Sequence, residues 1–314
     1  MKRFFSVGVT ALVAVFVLGF SSCVKDTCTE KRTFTRVDPV YVQAEDFRIP
    51  LEVVAPQALV DPGIVYAYGS YLLINEKRKG VHVIDNTNPA SPVPISFIKI
   101  PGNVDFAVRD GYLYADSYLD LLTIDIRQAN APIFVSRKED VFKPLWADQN
   151  FGYCVYYKVT AETTVLDCAD NNFNQPIFWT GGGVWANAEF IDKADNSGAS
   201  GNGVGGSFAK FTLSGSRLYM VDQYSLNTYN VDNASSPVFV STLQLGWGIE
   251  TIFPVDGNLF VGSTNGVHIL SITNPDQPKY LSKFDHASSC DPVYVVGNTA
   301  YVTLRSGTRC QGFT

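Results

Sequence analysis

A β-propeller of four-stranded antiparallel blades is the fold class this sequence predicts, and three observations predict it. The composition favours strands, the apolar residues alternate in short runs, and two turn landmarks recur in phase about every 40 residues. The chain has 314 residues, 46% apolar and 17% charged, a globular and not a disordered balance. Its 21 Phe and 16 Tyr favour strands over helices, and its 25 Gly and 16 Pro suit many short strands joined by turns.

The first landmark is a polar turn followed by Pro. It occurs in GVHVIDNTNPASPV (80–93), DLLTIDIRQANAPIFV (120–135), SLNTYNVDNASSPVFV (225–240) and GVHILSITNPDQPKYL (266–281). Seven residues separate Asp85 from Pro92, Asp125 from Pro132, Asn230 from Pro237 and Ser271 from Pro278. A weaker copy has nine residues from Asp167 to Pro176. The second landmark is a Gly turn before an aromatic-rich strand, at Gly69, Gly111, Gly152, Gly215, Gly257 and Gly297, spaced 42, 41, 63, 42 and 40 residues apart. The distance from Gly to the polar turn residue stays between 14 and 16 in five copies. Each unit therefore holds four strands: A ends at the Gly turn, B follows it, C ends at the polar turn, and D begins after Pro. The period-2 alternation of Val81 and Val83, and of Leu122 and Ile124, excludes helical repeats.

These segments, with GNVDFAVRDGYLYADSYLDLLTID (102–125) as the nearest match, resemble LVIVD repeats. That family comprises bacterial exported β-propeller proteins, and the resemblance spans residues 60–305. It implies architecture and no shared reaction.

The register sets blades at about 60–101, 102–143, 144–180, 204–247 and 248–288, with part of a sixth at 289–314. A Gly-rich insertion, 181–207, accounts for the long spacing. The sixth unit stops before its polar turn, so the expectation is a longer natural chain of seven or eight blades. Residues 43–59 read as a short helical or irregular lead-in.

The N-terminus reads as an export address. Lys2 and Arg3 precede a 17-residue apolar run from Phe4 to Phe20, then Ser21, Ser22 and Cys23. This is the layout of a signal peptide (1–22); a transmembrane helix is the competing reading, for which the run is short. A small residue before Cys23 resembles a lipobox, which implies lipidation of Cys23, with residues 23–42 as a tether. Val24-Lys25 after Cys23 point to the outer membrane or cell surface. Without residues 1–22 the chain carries 22 basic and 30 acidic residues, a balance of −8. That argues against nucleic acid, whose binding rests on neutralising phosphates.

Six cysteines fit an oxidising compartment. Cys154 with Cys168, and Cys290 with Cys310, flank predicted hairpins and are the candidate disulfides. Asp85, Asp125 and Asp167 repeat at the polar turn, which makes them turn-formers and not catalysts. His82 and His268 share one repeat slot and read as structural. No nucleophile elbow, zinc pair or phosphate loop is present. Asp192, Asp195 and Asn196 near Gly198 lack the EF-hand spacing, so a solvated loop is the default and calcium the alternative.

One constellation remains. Asp105 and Asp291 stand six residues before their repeat glycines, and Glu250 seven before Gly257. At the starts of A strands they would crowd one mouth of a central channel, with His286 in a nearby connection. They are candidates to hold a cation or a basic group, or to serve an enzyme. No catalytic motif supports that class. The favoured expectation is a non-catalytic, membrane-anchored binding scaffold with a protein or glycan partner.

Overall fold

The computed structural model describes residues 29–167, 209–285, 290–296 and 299–304. The chain divides into two compact units. The smaller comprises 1–36 and 160–183; its described parts belong to strands β1 (Thr29–Val42) and β12 (Gly152–Asp167). The larger comprises 37–159 and 184–314 and holds the repeat.

In the larger unit a short helix, α1 (Ala44–Phe47), follows β1. Asp46 caps it by accepting from the Gln43 N–H at 2.8 Å. Then come four sheets of one design. Sheet I is β3 (Pro62–Tyr68), β4 (Tyr71–Glu76), β5 (Gly80–Asp85) and β6 (Val93–Lys99), with β2 (Glu52–Val54) added outside β6. Sheet II is β7 (Phe106–Arg109), β8 (Tyr112–Ser117), β9 (Asp120–Asp125) and β10 (Ile133–Lys138). Sheet III is β13 (Phe211–Ser214), β14 (Arg217–Val221), β15 (Ser225–Asn230) and β16 (Val238–Gln244). Sheet IV is β17 (Ile249–Val255), β18 (Asn258–Ser263), β19 (Gly266–Ser271) and β20 (Lys279–Asp285). A hairpin of β21 (Cys290–Val296) and β22 (Thr299–Leu304) follows. Each four-strand run is an antiparallel meander in chain order.

The polar turns form as their chemistry requires. The Asp85 and Asp125 carboxylates accept from the N–H two residues on, at 2.8 and 2.9 Å. Asn230 and Ser271 do the same at 2.7 and 3.3 Å. Gly80 and Gly266 open β5 and β19 with φ of 143° and 153°. A Cβ there would strike the carbonyl oxygen of Ile98 or Phe284, so only Gly fits.

Alternation along the strands packs the sheets face to face. Leu113, Leu122 and Ile124 of sheet II meet Leu73, Val81 and Val83 of sheet I. The opposite face of sheet II, with Tyr114 and Leu121, meets Leu218 and Met220 of sheet III. Tyr219, Val221 and Leu226 then meet Leu259, Val261 and Leu270 of sheet IV. Burying one such side chain is worth about 1.5–3 kcal/mol.

A polar latch rides on each later interface. The Tyr114 hydroxyl donates to the Ala234 carbonyl at 2.7 Å, and the Tyr219 hydroxyl to the Pro275 carbonyl at 2.8 Å. Tyr114 and Tyr219 share one slot in strand B. Ala234 and Pro275 share one slot in the polar turn, three residues before Pro237 and Pro278. In sheet I the B slot is Leu73, and the matching turn residue of sheet II, Ala129, lies in the same apolar cluster.

Sheets II and III pack directly on each other, a departure from the expected blade at 144–180. Among the described residues β11 (Trp146–Asp148) pairs with the start of β12, and β12 pairs with β1. The Gly152 turn forms, but no B–C hairpin follows within β12, which runs on to Asp167. Residues 153–167 contain no Gly, Pro or Asn to turn the chain, and are rich in Val, Thr and Tyr. Of the expected tether, Thr29–Val42 is strand β1.

Candidate functional site

Asp105 is 1% exposed and lies one residue before β7. One carboxylate oxygen accepts from its neighbour, the Phe106 N–H, at 2.7 Å. The other accepts from the Phe211 N–H at 2.8 Å and from the Lys210 N–H. Asp105 thus ties the start of sheet II to the start of sheet III. Asp116 backs it, accepting from the N–H groups of Val104 and Asp105 at 2.8 and 3.0 Å and from the Asn103 amide at 2.8 Å. Asn103 in turn accepts from the Asn75 amide of sheet I at 2.7 Å. The network therefore runs through three sheets. Burial first, then the Asp116 charge, pushes Asp105 from 3.8 up to about 7. Burial lifts Asp116 to about 6, with its hydrogen bonds and the Lys210 charge opposing.

The other acids of the constellation are placed only in part. Glu250 is half-buried at a bulge in β17, where Ile249 faces Ser263 and Thr251 faces Gly262. Asp291 lies in β21, also between shifted registers, at Cys290 and Val293. His286 falls outside the described residues, as do Cys23, Cys168 and Cys310. Cys154 is a buried free thiol in β12, pushed up to about 11 by burial. Cys290 opens β21 opposite Leu304. Among the described residues no group of three His, Cys, Asp or Glu is placed to hold a metal ion, and no helix is long and apolar enough to cross a membrane.

His82 is buried, with Nε2 3.2 Å from the Glu76 carboxylate. His268, buried in the same slot, is lowered mainly by burial. Asp120 is fully buried under Arg48 and Arg137, both at 3.0 Å, and Arg137 also donates to the carbonyls of Phe47 and Ile49. This ion cluster fastens α1 to sheet II.

Two features were not apparent in the sequence. The first is a row of exposed apolar side chains on the outer strands: Val93, Ile133 and Phe134, Val238 and Phe239, Tyr280 and Leu281. Each group stands just after the repeat Pro. A bulge follows at the same slot in all four sheets, at Ile95, Val135, Val240 and Leu281. Bulges twist an edge strand and blunt open-ended pairing.

The second is a cavity of about 550 Å³ between the end of β10 and the β15–β16 pair. Ser225, Asn227 and Tyr229 line it from β15, and their cross-strand partners Gln244, Thr242 and Phe239 line it from β16. Lys138, Glu139, Asp140 and Lys143 form the facing wall.

Three solved structures illustrate what the chain is similar to. BamB from Moraxella catarrhalis matches at 13% identity, over 80% of this chain and 58% of that one, with a TM-score of 0.44. The periplasmic gluconolactonase PpgL of Pseudomonas aeruginosa matches at 13% identity, over 77% and 56%, with a TM-score of 0.45. A functionally unknown protein from Desulfotomaculum acetoxidans matches at 10% identity, over 72% and 70%, with a TM-score of 0.35. The chain spans a little more than half the length of the first two. No family model and no curated protein matches it, so the repeat resemblance stands on the residues quoted above.

Proposed function

We propose that the protein is a non-catalytic binding scaffold of the cell envelope, lipid-anchored through Cys23, with sheets I–IV as successive blades of a β-propeller. The blade reading is supported by the four-strand meanders, the 40-residue period and the face-to-face packing in chain order. The anchor reading is supported by the layout of residues 1–23.

The observation that carries the scaffold reading is the outer-strand row, apolar and repeated from sheet to sheet. Apolar residues recurring at one slot on rigid strands form a surface suited to a partner. Against the alternative, an enzyme at a channel mouth, stands Asp105: both its oxygens are already held by backbone N–H groups.

The test uses the full chain expressed with its leader. A photo-crosslinking residue at Ile133, Val238 or Tyr280 should trap one envelope partner, and Val238→Asp should abolish trapping. Labelled palmitate should enter the wild type and not Cys23→Ala. A chain that traps nothing from any of the three positions refutes the scaffold; an unlabelled wild type refutes the anchor.

A further inference from the structure

We propose that the cavity beside β15 and β16 is a docking groove for an extended peptide, which continues as an added strand on the outer edge of β10. The proposal rests on the scaffold reading and deepens it, by naming the form in which the partner binds.

The molecule holds one such segment of its own. Leaving α1, the chain runs through Ile49, Pro50 and Leu51 and then forms β2. That strand pairs antiparallel with the outer strand of sheet I: Glu52 faces Lys99, Val53 faces Ile98 and Val54 faces Phe97. Before the pairing begins, the segment is tied to sheet II. Arg137 donates to the carbonyls of Phe47 and Ile49 at 3.2 and 3.3 Å. Leu51 packs on the apolar cluster that sheets I and II share.

The groove around Ile49, Pro50 and Leu51 is walled by Lys99 and Pro101 from sheet I and by Leu122, Phe134 and Arg137 from sheet II. The repeat gives each of these five a counterpart one sheet on. Glu139 and Val141 follow Asp125 at the distances at which Lys99 and Pro101 follow Asp85. Asn227 faces Thr242 as Leu122 faces Arg137, and Phe239 faces Tyr229 as Phe134 faces Ile124. All five counterparts line the larger cavity. With its segment in place the first groove keeps about 10 Å³ of open space. The second, into which no segment reaches among the described residues, has about 550 Å³. Ligand sites usually measure roughly 300–1,000 Å³.

The strand edge beside it is open as well. β2 covers β6, whereas β10 ends its sheet with no outer neighbour among the described residues. Such an edge presents unpaired N–H and C=O groups, and an extended peptide completes them. Arg137, Lys138 and Glu139 are the counterparts of the three residues that β2 pairs. The bulge at Val135 lies before them, as the bulge at Ile95 lies before the β2 pairing, so it leaves this stretch free to add a strand.

Main chain and shape carry the recognition, and net charge does not. Lys138 and Lys143 line the cavity together with Glu139, Asp140 and Asp222, so the two signs nearly balance. Phe239 and Val141 supply apolar walls. The floor is what differs: Asn227 and Thr242 stand where the first groove has Leu122 and Arg137. Leu51 meets Leu122 in the first groove. The partner's segment therefore carries an amide or hydroxyl side chain at the position that Leu51 holds in the internal one.

The test is fluorescence anisotropy on the full-length chain with two labelled peptides: the sequence of residues 47–54, and the same sequence with Leu51→Gln. The Gln peptide should bind at least threefold more tightly than the Leu form and at least tenfold more tightly than its scrambled sequence. A photoreactive group at its Pro50 position should crosslink to residues 138–143 or 227–244. Thr242→Trp, at an exposed position, fills the groove and should weaken binding at least tenfold without moving the melting temperature. Lys283→Trp, the counterpart change in sheet IV, should leave binding unchanged. If Thr242→Trp does not fold, the crosslink map decides alone. No binding at millimolar peptide, equal binding of the scrambled sequence, crosslinks confined to other residues, or unchanged affinity in Thr242→Trp overturns the proposal. Partner trapping at Tyr280 in sheet IV, with no peptide binding, would refute the groove and leave the scaffold standing.

Discussion

Asp105 shows how a residue's slot in a repeat can be legible while its partners are not. Its slot at the start of an A strand was plain from the repeat. Its partners, the N–H groups of Lys210 and Phe211, lie more than 100 positions away, and no local pattern reveals them. Asp105→Ala would leave those donors buried and unpaired. Urea unfolding should show a loss of about 2–4 kcal/mol, since each orphaned buried donor costs about 1–3 kcal/mol. The sign of the pH dependence follows from the raised values. Both Asp105 and Asp116 take up protons more readily when folded than when unfolded. Their contribution is complete below about pH 4 and is lost as pH rises through about 6 and 7. The urea midpoint should therefore fall between pH 5 and pH 8, and Asp116→Asn should flatten that fall. A midpoint that climbs over this range contradicts the assignment.

At the scale of elements, much was legible and some was not. The polar turns announced themselves through Asp85, Asp125, Asn230 and Ser271, because a turn side chain bonds its own backbone. The run of β12 to Asp167 was hidden behind the weak copy of the polar turn, although the Val, Thr and Tyr residues of 153–167 favour extension. The cavity floor was hidden for another reason. It depends on which residue of β16 faces Asn227, and that register is shifted by the bulge at Val240. The Tyr latches make a test at this scale. Tyr114→Phe and Tyr219→Phe should each cost about 1–2 kcal/mol by thermal or urea unfolding, and the double variant should show their sum, since the two bonds lie at different interfaces. A Tyr219→Phe chain as stable as wild type would show that its hydroxyl bond adds nothing.

For the molecule, the serial packing of sheets predicts a gradient of local stability across each one. The inner strands β9 and β15 are buried on both faces, whereas β10, β16 and β20 carry exposed residues along an outer edge. Hydrogen exchange should be slowest in β9 and β15 and faster in the three outer strands, because opening an edge exposes less apolar surface. Uniform protection across a sheet would mean that each sheet opens as a whole.

The Tyr latch always runs forward, from a hydroxyl in one sheet to a carbonyl in the next. A copied unit would therefore arrive with both halves of its joints, a donor for its successor and an acceptor for its predecessor. Gene duplication can lengthen such an array without inventing an interface. The joint between Tyr114 and Ala234 spans 120 positions, so it locks sheet II to sheet III whatever length of chain separates β10 from β13.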